Sequence, residues 1–247
     1  MEILKNAGTF EILSKTDNII GTIAKSARTC YQSQDKSNPE SDYNLVKNLL
    51  NRQHYAMIEF ADMTVRFDNV SRGFTHELVR HRLCSFAQES TRYVDESNFK
   101  VVVPPHLDHR PLADWFNLNE EFYKKLKTVG YLNEDARQVL PTAIKSQIVV
   151  KANLREWIQI FKMRCDITAH WEIRELMLAL LAVVKKQIPL VFDNFQFFKS
   201  DNEKIFARQI MSPINLKKEI EFYLLTGGKL EDIDPRPTFG KNQLIQL

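Results

Sequence analysis

The chain has 247 residues, 44% hydrophobic and 26% charged, with 34 Lys and Arg against 31 Asp and Glu for a net charge of +3. That is a globular composition, long enough to bury a substantial core without staples, and a charge so small excludes a surface given over wholly to nucleic acid. The three cysteines, Cys30, Cys84 and Cys165, are odd in number, far apart and in no C-x-x-C arrangement, which argues against a disulfide framework or cysteine-based zinc site and for a reducing, cytoplasmic compartment.

Met1 to Asn6 lacks the charged and apolar run of an export signal, and no stretch approaches about eighteen apolar residues, so neither secretion nor a membrane span is predicted. Apolar residues recur at helical spacing from Ile19 to Tyr31 and from Tyr43 to Arg52, predicting two helices joined by a polar loop around Asp35 to Ser41 that contains Pro39. Met63, Val65 and Phe67 alternate with Thr64, Arg66 and Asp68, the period of a half-buried strand, after which Asp68-Asn69 is expected to turn the chain. Ser71 is placed to cap a helix through Phe74, Leu78 and Val79 that ends near Arg82, putting Arg80-His81-Arg82 on its last turn. Three consecutive side chains there fan out by about 100° each and address different groups of one ligand.

The run from Arg80 to Tyr93 is the densest polar feature of the chain. Arg80, Arg82 and Arg92 offer planar forks suited to phosphate or carboxylate, and Gln88, Ser90 and Thr91 add neutral groups that fix orientation. Glycine is scarce, with 7 in the chain, and there is no G-x-G-x-x-G or Walker loop. Phosphates would therefore be held by arginines and hydroxyls, not by a glycine-rich backbone cradle.

Val101 to Pro105 is a short apolar segment, followed by a helix through Trp115 to Val129 and another opened by Asn133-Glu134-Asp135, containing Arg137 and stopped at Pro141. Ile144 to Ala152 reads as a strand, and Asn153 caps a helix from Leu154 to about Arg164 on which Arg155 and Gln159 share a face while Arg164 lies at the far end. Ile173, Leu176, Met177, Leu180, Leu181 and Val184 form an apolar stripe for core or subunit packing. The region after Pro189 is aromatic, then polar; Gly227-Gly228 reads as a helix stop, and an extended tail is expected after about residue 230. No repeat or linker divides the chain, which predicts one domain over 1–247.

Four chemistries compete for these residues. Cys84, beside His81 and two arginines, has the setting of an activated thiol, but its flanks Leu83 and Phe86 suit a small buried hydrophobe better. His106 and His109 are three apart without further ligands, so no metal site is predicted. His54 with Glu59 reads equally as an acid/base pair or a polar cluster. A basic nucleic-acid-binding module would use Arg80, Arg82 and Arg92 with Phe86 and Tyr93, although Glu77 and Glu89 interrupt a phosphate-tracking stripe.

Arg80-His81-Arg82, followed by seven residues and Ser90, resembles the signature of the flavin-dependent thymidylate synthases, which methylate dUMP without the cysteine nucleophile of the ordinary thymidylate synthases. The resemblance runs from about residue 20 to 185: Ala27-Arg28-Thr29-Cys30-Tyr31, His54 through Glu59, His76-Glu77-Leu78-Val79, Ala136 through Pro141, Asn153-Leu154-Arg155, Arg164-Cys165-Asp166 and Trp171-Glu172 occur in the family's order. It implies an α/β fold with a small mixed or antiparallel sheet flanked by helices, assembled as a homotetramer with active sites between subunits. It implies FAD as cofactor, NADPH and methylenetetrahydrofolate as co-substrates and dUMP as substrate, with no nucleic acid or membrane partner. Carried over by position, Arg80, His81, Arg82, Gln88, Asn153, Arg155 and Gln159 would contact FAD. Arg80, Gln88, Glu89, Ser90, Thr91, Arg92, Arg137 and Arg164 would bind dUMP, with Arg164 catalytic and Cys84 a bystander. The chain departs from the pattern at Ala56, Glu77, Ala87, Gln159 and Lys162, which leaves the arginine set intact.

Overall fold

A computed structural model describes residues 1–5, 8–210 and 243–245. In chain order, β1 (Glu2–Leu4) and β2 (Thr9–Lys15) precede α1 (Ile19–Thr29) and α2 (Pro39–Asn51); then come β3 (Asp62–Ser71), α3 (Arg72–Leu78), β4 (Ser85–Gln88) and β5 (Lys100–Val102). The long α4 (Arg110–Thr128) and short α5 (Asn133–Ala136) lead to β6 (Lys145–Asn153), α6 (Leu154–Arg164), α7 (Trp171–Gln187) and α8 (Pro189–Phe192). Strands β7 (Phe195–Lys199), β8 (Ile205–Gln209) and β9 (Gln243–Ile245) complete the described elements. The glycine pair at 227–228 and the tail from 230 to 242 lie outside the described residues; Gln243–Ile245 pairs antiparallel with β7.

The fold is mixed α/β with small sheets flanked by helices, and it contains three sheets among the described residues where one was expected: β1-β5, β2-β3-β6-β4 and β8-β7-β9. Two compact units are distinguished. The first comprises Met1–Ser14, Met63–Ala152 and His170–Leu176; the second Lys15–Asp62, Asn153–Ala169 and Met177–Leu247.

In the first unit, alternation along β3 buries Met63, Val65 and Phe67 completely, and β6 buries Ile148 and Val150 in the same way. Each such side chain contributes about 1.5–3 kcal/mol on leaving water. The expected turn at Asp68-Asn69 is absent: β3 continues to Ser71, and Asn69 takes a left-handed φ of 56° inside the strand, a conformation Asn tolerates better than most residues. Gly8 lies against this spot with φ +86°, where a Cβ would come within 2.5 Å of the Asp68 carbonyl oxygen. β1 pairs parallel with β5, and Phe99, Val101, Val103, Phe116 and Ile144 form the core beneath them.

In the second unit, α2 begins at Pro39, inside the segment expected to be loop. Asn38 accepts a bond from the Ser41 amide at 2.9 Å, and proline at the first helical position gives up no bond the helix would have used. The aromatic run after Pro189 forms a cluster in which Phe161 meets Phe192 and Phe195 edge-on at 5.6 and 6.2 Å. Met177, Leu180, Leu181 and Val184 of the α7 stripe are buried here, and Ile173 and Leu176 of the same stripe are buried in the first unit. No described helix is long and apolar enough to cross a membrane.

Candidate functional site

The signature is carried on the path from α3 through a turn to β4. Ser71 caps α3, its Oγ accepting from the Phe74 amide at 3.0 Å, as expected. The cap is itself held by the buried carboxylate of Glu172, which accepts from the Ser71 amide at 2.6 Å and from its hydroxyl at 2.5 Å. The helix stops at Leu78, a turn earlier than expected, with the Val79 amide bonded to Thr75 and the His81 amide to Leu78. Residues 85–88 are drawn into the sheet against β6, Ser85 opposite Lys151 and Gln88 opposite Ile148, and this pairing overrides the helical pattern upstream. The Arg80-His81-Arg82 triplet therefore lies in the turn past the helix, where His81 is buried and both arginines are exposed.

At the end of β4 the side chains are fixed by their neighbours. Gln88 donates its amide N–H to Thr75 Oγ1 at 2.8 Å and lies 3.4 Å from Ser146 Oγ, leaving its carbonyl oxygen as the group to offer a ligand. Glu89 pairs with Lys145 at 3.0 Å, and its backbone carbonyl accepts from Arg72 Nη1 at 3.0 Å. Ser90 carries the turn that follows, its carbonyl accepting from the Tyr93 and Val94 amides. Arg92 bonds the Glu134 carboxylate at 2.9 Å, and Arg137 Nε donates to the Glu134 carbonyl at 3.1 Å, so one residue of α5 gathers two arginines that lie far apart in sequence. The helix expected to contain Arg137 is only four residues long and gives way to a 3-10 turn over Arg137–Val139, because Leu140 must be extended before Pro141.

These pieces enclose a cleft of about 350 Å³ whose walls include Arg72, His76, Thr91, Arg137 and Gln138. Two guanidiniums and a buried threonine make it an anion site by chemistry. Arg72 and His76 are not among the residues expected from sequence. They stand four apart on α3, one above the other on a single face, and that i, i+4 spacing beside the signature was the available signal. Beyond the turn, Glu96 is buried, and its carboxyl is pushed up to about 7, chiefly by burial and next by the charge of Glu89.

The remaining expected residues belong to the second unit. Asn153 caps α6, its side-chain oxygen accepting from the Glu156 amide at 2.9 Å, so its amide N–H groups alone remain for a ligand. Arg155 pairs with Glu59 and faces a cleft of about 410 Å³, mostly apolar, with Ala27, Tyr31, His54, Ala56 and Met57 among its walls. Glu59, read from sequence as a partner for His54, is thus bonded to Arg155. Gln159 is exposed one turn further along α6, and Arg164 is half-buried at its last residue. Burial pushes the Cys165 thiol well above its usual range, which makes it inert. Among the described residues no group of three His, Cys, Asp or Glu side chains could hold a metal ion.

The fold is shared with proteins of known structure. The UMP/dUMP methylase PolB from Streptomyces cacaoi, solved with 5-Br dUMP, superposes with a TM-score of 0.68 at 20% identity, covering 78% of this chain and 96% of that one. Thymidylate synthase X from Helicobacter pylori, solved with FAD and dUMP, gives 0.65 at 21% identity over 75% and 97%. The model of the thymidylate synthase complementing protein family matches residues 11–190. The flavin-dependent thymidylate synthase of Nitratidesulfovibrio vulgaris is 32% identical over 74% of this chain and 84% of its own length, and that of Corynebacterium efficiens 36% identical over 68% and 76%. The chain belongs to the flavin-dependent thymidylate synthase family.

Proposed function

We propose that this chain converts dUMP to dTMP by reductive methylation, taking the carbon from methylenetetrahydrofolate and the hydride from FAD reduced by NADPH, without a cysteine nucleophile. The observation that carries this reading is the cationic cleft of Arg72, Thr91 and Arg137, with Arg92 tied to the same Glu134 as Arg137. Arg92 and Glu134 are both about half exposed, so their pair is worth roughly 0–1 kcal/mol and a dianionic phosphate draws the guanidinium away at little cost. Arg92 and Arg137 then hold the phosphate, Ser90 and Thr91 add hydrogen bonds, and Gln88, Glu89 and Arg80 complete the nucleotide set.

Arg164 is the catalytic residue. A guanidinium is a donor and not a base, so Arg164 acts by stabilising negative charge that develops on the pyrimidine as N3–H ionises. The second unit's cleft fits a flavin by its lining: apolar walls for a planar ring system, with one guanidinium, Arg155, for an anionic tail. Arg80, His81, Arg82, Gln88, Asn153 and Gln159 would complete the FAD set. When bound, FAD supplies the hydride that completes the methyl group; the chain's own residues bind, orient and polarise.

The chain works as one catalytic domain in a cytoplasmic homotetramer whose ligands are shared between subunits, which is how Arg80 and Gln88 serve both sets. Leu83 and Tyr93, 76% and 78% exposed beside the signature, support a surface covered in the assembly. The test is the visible spectrum of the purified protein under anaerobic conditions. A flavin band bleached by NADPH and restored only when dUMP and methylenetetrahydrofolate are both added, with dTMP formed, is the expected result. A protein that takes up no FAD on reconstitution would overturn the reading.

A further inference from the structure

A third cleft, of about 500 Å³, lies within the second unit between α2, the end of α6 and the segment running from α8 to β8. Lys47 of α2 and Lys162 of α6 both line it, and neither ammonium has a hydrogen bond or ion pair among the described residues. The carboxylate in the lining, Asp193, lies in the field of Lys185, whose ammonium also donates to the Asp193 carbonyl at 3.1 Å. The negative charge of the wall is thus met by a cation outside the lining, and the two lysines, both exposed, are left without a counter-charge among the described residues. Among the described residues Asn194 Oδ1, buried in the same wall, has no donor to it. Such an orphaned acceptor is destabilising and calls for a group that satisfies it. Tyr55 accepts from Gln209 Nε2 at 3.3 Å, and burial pushes its phenol up, so its O–H remains a donor.

We propose that this cleft is a second anion site, built for a phosphate monoester that carries a neutral N–H or O–H donor. Two uncompensated ammoniums match a dianion; a monocarboxylate would leave one of them unmet. Lysine is a point charge without the planar fork that favours carboxylate, and it binds phosphate well in that role. The neutral donor is required by Asn194, because neither lysine removes the cost of its unpaired oxygen. Gln53 and Tyr55 line both this cleft and the one that holds Arg155, so an occupant here presses on a wall shared with the proposed flavin site.

Calorimetric titration of the full chain at pH 8 with ribose 5-phosphate, and separately with methyl phosphate, a dianion there that carries no N–H or O–H donor, tests the site without any demand for turnover. Saturable binding of ribose 5-phosphate is expected, tighter than that of methyl phosphate. The double variant Lys47→Ala/Lys162→Ala should weaken it at least about tenfold, since two charge-assisted contacts are lost. Lys47→Arg/Lys162→Arg should retain it, which separates loss of charge from loss of fold. The titrations are run in the Arg137→Ala background as well, which disables the phosphate cleft of the first unit, and the binding event of the second unit should persist there with the same affinity. The site is overturned if neither phosphate binds, or if binding disappears in Arg137→Ala and survives in the lysine-to-alanine pair. Equal affinity for the two phosphates would overturn the assignment of Asn194. Because no flavin or dUMP enters the measurement, failure here and failure of the proposed catalytic function are distinguishable.

Discussion

The clefts of the two units use arginine in opposite surroundings. In the first, Arg72 and Arg137 stand beside a histidine and a threonine, each guanidinium steadied by a backbone carbonyl, of Glu89 and Glu134 respectively. A carbonyl orients a guanidinium without cancelling its charge, so the site keeps its field for an incoming phosphate. In the second, Arg155 is the only arginine that lines the mostly apolar walls among the described residues and is paired with the Glu59 carboxylate. That pair lowers the net charge and suits a ligand recognised first by its apolar plane. On the proposed reading, the manner in which an arginine is held, by carbonyl or by carboxylate, separates the proposed phosphate cleft from the proposed ring cleft.

The comparison is broken most severely at Arg164. Arg164→Ala should lower dTMP formation by about 10²- to 10³-fold while FAD stays bound, because a donor aimed at developing charge acts mainly in the transition state. Turnover near the parent value would remove Arg164 from the chemistry. Next is Arg137→Ala, expected to raise the dissociation constant for dUMP roughly ten- to a hundredfold, the value of a charge-assisted bond, with FAD affinity unchanged. Arg155→Ala should do the reverse and more weakly, loosening FAD by about tenfold and sparing dUMP, since the lost guanidinium also leaves Glu59 without its partner. Equilibrium binding of each ligand to each variant checks both. If Arg137→Ala and Arg155→Ala weakened the same ligand alike, the division of labour between the clefts would be wrong.

How legible these features were depends on whether their cause is local. The cap at Asn153, the helix to Arg164 and the cap at Ser71 were readable because a capping oxygen and a 3.6-residue period act within one or two turns. Strand β4 was not: it spans four residues within the signature, and its polar side chains read as ligand contacts, whereas its strand character comes from pairing with β6 some sixty residues later. The same holds for Glu134, which joins Arg92 and Arg137 through a contact that no spacing announces. The resemblance includes the segment with His76 but implies a ligand role for neither Arg72 nor His76, and their helical spacing is the remaining local signal.

The smallest expected effect is on stability, and it sharpens the picture of the first unit as a place where charge is balanced closely. Glu96 is buried just past the signature turn, its amide donating to the Tyr123 hydroxyl at 3.3 Å. Burial and the neighbouring Glu89 raise its carboxyl from 4.5 to about 7, Asp95 adds to the rise, and Lys145 and Arg72 oppose it. A folded pKa above the unfolded one means that the native state holds the proton more tightly. The stabilisation is therefore complete below about 4.5 and is lost as pH rises toward and through about 7. The urea midpoint should fall between about pH 5 and pH 8, and Glu96→Gln, which keeps the neutral shape at every pH, should flatten that fall. Glu172 and Glu156 are the competing sources, since burial raises both carboxyls and their slopes have the same sign. A fall that persists undiminished in Glu96→Gln would transfer the effect to these two, and Glu172→Gln would then tell whether the pH sensitivity had moved from the signature turn to the carboxylate that holds the cap of α3.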